Sequence, residues 1–154
     1  LFCFGHGQAY SNYTFVGMGV AGAIRSGRAG GSSAPAASRA AGNLTVTVAV
    51  RDLVGFRPEG SAVVQIYAAP LLASRTGQVR YKKTLVGFSK ARIAATGETS
   101  VDVRVDADEL GYTVFDPMEA GADNHPWVVE SGEYRLLACR SECDCQLNTT
   151  ITVL

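Results

Sequence analysis

The chain has 154 residues, of which 47% are hydrophobic and only 18% are charged, and its 14 basic side chains balance 14 acidic ones. This length and apolar content suffice for one domain with its own core. Zero net charge argues against a nucleic-acid-binding surface, for which the dense basic stretch at residues 80–83 is too small. Because no apolar run reaches the roughly 18–20 residues of a membrane span, neither nucleic acid nor a membrane is predicted as a partner.

The first fifteen residues, LFCFGHGQAYSNYTF, begin with Leu and combine aromatic side chains with glycines. They lack the basic region and the continuous apolar region of a signal peptide. A start of this kind indicates a piece of a longer protein, and residues 1–12 are interpreted as a segment that arrives from a preceding domain. His6 lies between two glycines without an evident catalytic partner, so it is interpreted as a structural or interface histidine.

Residues 13–20 have the composition of a strand, and residues 13–154 are assigned to one domain. Residues 21–42 within it consist almost wholly of small side chains with a few arginines, and they show no apolar period. Such a stretch cannot offset its conformational entropy by burial. It is therefore predicted to be a flexible insertion within the domain.

Four later stretches alternate between apolar and polar side chains: residues 43–50, 61–68, 98–106 and 146–154. A period of two, built with many Val and Thr residues, is typical of half-buried strands. Turn-forming clusters that contain Gly separate the strands, and no amphipathic helix of useful length appears. The pattern predicts an all-β fold, a seven-stranded antiparallel immunoglobulin-like β-sandwich.

The sequence around Tyr134 resembles a tyrosine corner, in which a tyrosine hydroxyl binds the backbone a few residues upstream. An antibody-type domain would carry Cys two residues after this Tyr, where this chain has Leu136. Trp127 shortly precedes the same strand instead of lying on an earlier one. A fibronectin type III-like sandwich is therefore favoured over a cell-surface immunoglobulin-like receptor domain, which would need that cysteine pair between its sheets.

No group of residues in the sequence assembles an active site. The acidic side chains of residues 106–109 suggest the paired carboxylates of a glycosidase, but their position at a strand end is interpreted as the cap of one helical turn. Asp116 and Asp123 flank a loop without the series of oxygen ligands that Ca²⁺ needs, and His125 is interpreted as an exposed loop residue. No catalytic residue, cofactor or metal site is predicted.

The four cysteines are unevenly placed. Cys139, Cys143 and Cys145 lie within seven residues, whereas Cys3 stands far from them. A zinc site needs a second, distant pair of ligands, for which the chain offers only its two histidines. The cysteines are interpreted instead as small apolar fillers or as a local hairpin bridge, and their redox state is left open.

Three of the four asparagines, Asn12, Asn43 and Asn148, lie in the N-x-Ser/Thr pattern of N-glycosylation. Asn43 and Asn148 fall on the outward faces of predicted strands, as an attached glycan requires. Three such sites among four asparagines exceed chance expectation, so they favour a secreted or secretory-pathway location.

LFCFGHGQAY at residues 1–10 is similar to the segment LFPFGHGLSYT, and SAVVQIY at residues 61–67 is similar to the strand EVVQLY, of the family 3 glycoside hydrolases, the β-glucosidases and β-xylosidases. KTLVGFSK at residues 83–90 resembles KxLxGFxK, and WVVESGEY at residues 127–134 resembles WxVExGxY. The segments follow the family's order and cover nearly the whole chain except residues 21–42.

The resemblance implies a C-terminal fibronectin type III-like domain, since the family carries its nucleophilic Asp and its acid/base Glu in other domains. It implies a non-catalytic accessory domain that stabilises and orients the catalytic domains of its own parent chain. That parent would be a β-glucosidase acting on terminal β-D-glucosyl residues, with β-xylosidase parentage left open, and the β-glycoside would meet only the catalytic domains. Phe2, Phe4, His6 and Tyr10 are then predicted to contact the preceding domain.

A different class of function is a self-standing carbohydrate-binding or adhesive sandwich. Modules of that kind expose aromatic side chains that stack on sugar rings. In this chain Tyr81, Tyr112 and Trp127 would form such a platform. Aromatic side chains usually fill a sandwich core or an interface, and these three are interpreted in that way.

Overall fold

The structure, a computed structural model, describes residues 2–7, 12–29, 40–53, 60–72, 81–94, 97–113 and 127–154. Within these residues the strands are β1 (Tyr13–Arg25), β2 (Gly27–Ala29), β3 (Ala41–Asp52), β4 (Gly60–Pro70), β5 (Thr84–Ile93), β6 (Glu98–Asp106), β7 (Tyr112–Thr113), β8 (Trp127–Val129), β9 (Gly132–Ser141) and β10 (Asp144–Val153). One 3₁₀ turn, Ala107–Leu110, follows β6. In this part of the chain no helix is long and apolar enough to cross a membrane.

The strands form two larger antiparallel sheets and one small sheet. The first sheet has the order β1-β3-β6, the second has the order β10-β9-β4-β5, and β2, β8 and β7 make up the small one. The predicted all-β sandwich is therefore confirmed. The described residues hold ten strands and not seven, because the chain adds three short strands that pair with one another.

The core collects the inward faces of both larger sheets. On β3 the alternate residues from Leu44 to Val50 are buried, and on β6 the alternate residues from Val101 to Val105 are buried, as their sequence period predicts. Val46 lies opposite Val103 in the ladder between these strands. Fully burying a side chain of this kind contributes about 1.5–3 kcal/mol, so the two alternating strands account for much of the stability.

The flexible insertion predicted for residues 21–42 is wrong at both of its ends. β1 continues through Arg25, and β3 already begins at Ala41. The pairing of β1 with β3 needs a residue without a side chain at position 22. Gly22 has a φ of 101°, and a Cβ there would overlap the carbonyl oxygen of Asn43. Ile24 is buried and anchors the end of β1 in the core. Residues 30–39 lie outside the described part of the chain, so the prediction is not tested there.

The tyrosine corner is confirmed. The hydroxyl of Tyr134, on β9, donates a buried hydrogen bond of 2.9 Å to the backbone carbonyl oxygen of Glu130. The bond ties the start of β9 to the segment that leads from β8. It fixes the path by which the chain enters the second sheet.

The helical turn predicted after β6 is present as the 3₁₀ turn, but its predicted cap is wrong. Asp106 stands at the cap position and makes no side-chain hydrogen bond to the turn. Its carboxylate instead accepts a hydrogen bond of 2.8 Å from Nε of Arg104. Asp108 and Glu109, within the turn, are both exposed.

Candidate functional site

The N-terminal segment, residues 2–7, is fastened to the turn between β9 and β10. Cys3 forms a disulfide with Cys143 in that turn. The backbone N–H of Glu142 donates to the carbonyl oxygen of Phe4 over 2.9 Å, and the N–H of His6 donates to the carbonyl oxygen of Cys3 over 2.9 Å. One covalent link and one backbone hydrogen bond therefore hold this segment to the sandwich.

All four cysteines are paired. Cys139 and Cys145 form the second disulfide and lie opposite each other on β9 and β10. The local hairpin bridge is thus confirmed, while the interpretation as unpaired apolar fillers is wrong, since no cysteine is free. The link between Cys3 and Cys143 was not predicted, because 140 residues separate the two in sequence.

Gly5 lets the N-terminal segment approach the outer face of β4. It has a φ of 74°, and a Cβ at this position would overlap the amide nitrogen of Gln65 and lie 2.9 Å from its Cδ. Gln65 donates to the carbonyl oxygen of Arg140 over 3.3 Å and accepts from the hydroxyl of Tyr67 over 2.8 Å. The period of two in residues 61–68 is typical of a half-buried strand, yet Gln65 and Tyr67, opposite the face of Val64 and Ile66, are also buried.

A lysine and a glutamate border the same buried pair. The ammonium of Lys83 donates to the backbone carbonyl oxygen of Glu142 and lies 5.3 Å from the ring centroid of Tyr67. Burial, and secondarily the negative charge of Glu142, raise the pKa of Tyr67 above its ordinary value of 10.0. The hydroxyl therefore stays protonated and keeps its donor bond to Gln65 when an exposed tyrosine has already ionised.

This raised pKa predicts a loss of stability at alkaline pH. In the folded chain Tyr67 holds its proton to a higher pH than in the unfolded chain, so its contribution is complete below pH 10.0 and declines as pH rises through the folded pKa. Tyr67→Phe is expected to make the free energy of unfolding fall less steeply above about pH 10. Urea unfolding at a series of pH values across this range measures how the free energy of unfolding depends on pH. An unchanged slope in Tyr67→Phe would contradict the assignment.

Two aromatic side chains of the N-terminal segment lie outside the core. Phe2 is 85% exposed and Phe4 is 65% exposed. The Phe2 ring stacks on the ring of His6 with a centroid distance of 4.9 Å and an interplanar angle of 14°. Tyr10, the fourth residue predicted to contact a preceding domain, lies outside the described residues. The structure thus presents Phe2, Phe4 and His6 together on one anchored segment.

Phe88 is a further exposed aromatic ring, on the strand that pairs with β4, and the sequence pattern did not reveal it. It is 71% exposed on β5 and lies opposite Gln65. The pairing of β4 with β5 shifts between Ile66 and Tyr67, which is the signature of a β-bulge. Val86 is buried, so a strict period of two would bury Phe88 as well, and the irregularity turns its ring outward. We call Phe2, Phe4, His6 and Phe88 the aromatic patch.

The three asparagines of the glycosylation patterns, Asn12, Asn43 and Asn148, are all exposed. Asn43 lies near the start of β3, and Asn148 lies on the outward face of β10. Exposure is necessary for an attached glycan, and their use remains a prediction.

A cleft brings together the three aromatic residues that the sequence singled out as a sugar platform. We call it the aromatic cleft. It has a volume of about 460 Å³, and its described lining is Ala68, Pro70, Tyr81, Thr84, Val86, Glu109, Leu110, Gly111, Tyr112, Thr113 and Trp127. Tyr81 is 82% exposed and Trp127 is 41% exposed, so neither is a core side chain, and their alternative interpretation as interface residues stays a prediction. Tyr112 is half-buried.

Among the residues that the structure describes, no group of three or more His, Cys, Asp or Glu side chains is placed to hold a metal ion. Asp116, Asp123 and His125 lie outside the described ranges.

The sequence matches one family model and part of a known enzyme. Residues 62–142 match the family model described as the fibronectin type III-like domain. Along its sequence the chain is 29% identical to beta-glucosidase cel3A of Pyricularia oryzae over 158 residues. That alignment covers 99% of this chain but 20% of the relative, so the chain spans about a fifth of that protein's length.

The chain also superimposes on parts of larger proteins of known structure. The chain superimposes on part of the beta-D-glucoside glucohydrolase from Trichoderma reesei with a TM-score of 0.68 and 25% identity. It superimposes on part of DesR, a beta-glucosidase from Streptomyces venezuelae, with a TM-score of 0.66 and 26% identity. In each case 98% of this chain is covered, against 20% and 16% of the larger protein.

Proposed function

The chain belongs to the fibronectin type III-like domain family, and we propose that it serves as a non-catalytic accessory domain of a family 3 β-glucosidase. The observation that carries this proposal is the coverage of the matches. Nearly the whole chain aligns, yet it accounts for only 20% of the Pyricularia oryzae beta-glucosidase. A stretch of that share corresponds to one domain of a larger enzyme.

In this proposal the parent enzyme hydrolyses terminal β-D-glucosyl residues with retention of configuration. Such chemistry uses one carboxylate as the nucleophile and another as the acid/base group. Both are assigned to the rest of the parent chain. The role of the present domain is mechanical, since it stabilises and orients the domains that bind the substrate.

The aromatic patch is proposed as the surface that contacts the catalytic domains. Phe2 and Phe4 are exposed although they belong to a segment held by a disulfide, a backbone hydrogen bond and the close contact of Gly5 with Gln65. An anchored, apolar and solvent-facing surface is the usual form of a contact site. Tyr10 is included in the proposed contact on the basis of its sequence position.

The parent is further proposed to fold in an oxidising compartment. The support is the pair of disulfides, which are rare in the reducing cytosol, together with the exposure of the three sequon asparagines. This agrees with the secretory route that the sequons favour.

Charge placed on the aromatic patch tests the proposed contact. Phe4→Asp is expected to leave the unfolding free energy of the isolated chain within about 0.5 kcal/mol of wild type, because the side chain is exposed there. In the parent enzyme the same change should speed thermal inactivation of aryl β-glucoside hydrolysis, because the ring is buried between domains. The half-life of activity at a fixed elevated temperature measures this effect.

Leu72→Asp provides a matched control, since Leu72 is an exposed apolar residue on another part of the domain. It should change neither the isolated chain nor the parent enzyme. Equal half-lives for the wild-type and Phe4→Asp parents would contradict the proposed contact. Hydrolysis of an aryl β-glucoside by the isolated chain would contradict the accessory role itself.

A further inference from the structure

We propose that the aromatic cleft binds one pyranose ring of a neutral oligosaccharide. This proposal does not rest on the proposed accessory function, because it is argued from the lining of the cleft.

The first argument is the exposure of two aromatic rings in one concave place. Tyr81 is 82% exposed and Trp127 is 41% exposed, and both line the cleft. Single exposed aromatics are ordinary on a protein surface, but a grouped set marks a binding site. One face of a pyranose ring is lined by C–H bonds, and the electron-rich face of an aromatic ring attracts them.

The second argument is that the aromatic rings of Trp127 and Tyr112 are already held in place. Nε1 of Trp127 donates to the carbonyl oxygen of Asp108 over 2.8 Å. The hydroxyl of Tyr112 donates to Oε1 of Glu130 over 2.6 Å. With their polar atoms bonded within the protein, both side chains are pre-organised, and a ligand does not need to order them on binding.

Gly111 explains how the indole reaches its position. A Cβ on Gly111 would lie 2.7 Å from Cε2 of Trp127 and would overlap Nε1. The absence of a side chain therefore lets the indole lie directly on the backbone after the 3₁₀ turn. One side of the indole is covered in this way, and its exposed part belongs to the cleft.

The third argument is the charge and polarity of the lining. Among the described residues of the cleft, Glu109 is the only charged one, and no basic side chain is present to hold an anion. The carboxylate of Glu109 and the hydroxyls of Thr84 and Thr113 are exposed, so they are available to ligand hydroxyl groups. This combination fits a neutral, hydroxyl-rich ligand with one apolar face.

The size of the cleft agrees with such a ligand. Its volume of about 460 Å³ falls within the range of roughly 300–1,000 Å³ found for small-molecule sites. An open cleft of this kind suits one ring of an oligosaccharide, with the rest of the sugar chain left in solvent.

Trp127 is the only tryptophan in the chain, so its fluorescence reports directly on the cleft. The 154-residue chain is titrated with cellotetraose and, separately, with maltotetraose. A saturable change with at least one of them is expected, with a dissociation constant of about 1 mM. No saturable change with either oligosaccharide overturns the proposal.

Variants assign the signal to the cleft. Tyr81→Ala is expected to weaken binding about tenfold, which corresponds to about 1.4 kcal/mol, while thermal unfolding stays near wild type because the ring is exposed. Glu109→Gln is expected to weaken binding about threefold through loss of its charged acceptor. Phe88→Ala is the matched control, since Phe88 is an exposed aromatic outside the cleft, and it should bind as wild type does.

Three other results would count against the proposal. Equal binding by Tyr81→Ala and Phe88→Ala would place the sugar elsewhere. A change that depends on protein concentration without sugar would show that a second copy of the chain occupies the cleft. Saturable binding of p-nitrophenol without saturable binding of either oligosaccharide would identify a planar aromatic ligand instead. These titrations use only the isolated chain and do not depend on the activity of a parent enzyme, so they can fail while the accessory function holds.

Discussion

Replacing Cys3 and Cys143 together by alanine is expected to lower the free energy of unfolding of the isolated chain by about 5 kcal/mol. The disulfide joins residues 140 positions apart, so it restricts nearly the whole unfolded chain. Its removal restores that entropy to the unfolded state and also frees the N-terminal segment from the β9–β10 turn. A loss of this size is a large fraction of the stability of an ordinary domain. Denaturant unfolding under non-reducing conditions measures it.

The second disulfide supplies the control for this prediction. Cys139 and Cys145 are separated by only 6 positions, and the same entropy argument gives about 2–3 kcal/mol for their joint replacement by alanine. The order of the two effects is therefore the test. If the loss of the short-range bridge costs as much as the loss of the long-range one, restriction of the unfolded chain does not explain the stabilisation.

Gly5→Val is expected to cost about 2–4 kcal/mol, from a side chain forced into a positive φ and from overpacking against Gln65. Gly5 has a φ of 74°, and its missing Cβ is what allows contact with the amide of Gln65. Displacement of Gln65 also disturbs its hydrogen bond with the buried hydroxyl of Tyr67. The expected result is a chain that folds with reduced stability and a loosened N-terminal segment, measured by urea unfolding and by amide hydrogen exchange at Glu142.

Gly7→Val is the matched control, because it introduces the same side chain two residues away. No atom lies within 4 Å of a Cβ at Gly7, and its φ is not among the positive ones. This variant should stay within about 0.5 kcal/mol of wild type. A similar cost at both positions would show that the contact with Gln65 is not what requires glycine.

The fold was predictable where a local period decides which side chains are buried. Val46 and Val103 lie on strands whose alternation continues without interruption, so their sequence positions alone gave their burial. Tyr134 was recognisable because the hydroxyl bonds a carbonyl only four residues upstream. In these cases the determining interactions lie on one strand or within one turn.

Predictions failed where the partner lies far away in sequence. Gln65 is buried although residues 61–68 have the period of a half-buried strand, because nothing near it in sequence indicates that residues 2–7 cross there. The stretch around Gly22 was predicted to be flexible because it shows no apolar period. Its strand is specified instead by pairing with β3. Phe88 was not singled out from the sequence, because the bulge that turns its ring outward shifts the strand period in a way that composition does not reveal.

The candidate site was predicted in part. Phe2, Phe4 and His6 were singled out from their resemblance to a family segment, and the structure shows how that segment is anchored without testing their contact. Tyr81 and Trp127 were considered as a platform but interpreted as core or interface residues, since aromatic content alone does not tell which rings remain exposed. Their common cleft depends on Gly111 and on the 3₁₀ turn, neither of which carries a recognisable ligand motif.

The placement of the four cysteines also determines how the chain can oxidise. Four cysteines allow three pairings, but Cys139 and Cys145 face each other on one hairpin, while Cys143 lies in its turn. A short hairpin forms within microseconds, long before distant strands have met. Once it has brought Cys139 to Cys145, Cys3 has only Cys143 left as a partner. We therefore expect the hairpin to favour the native connectivity, with the long-range bond between Cys3 and Cys143 closing after the short-range one.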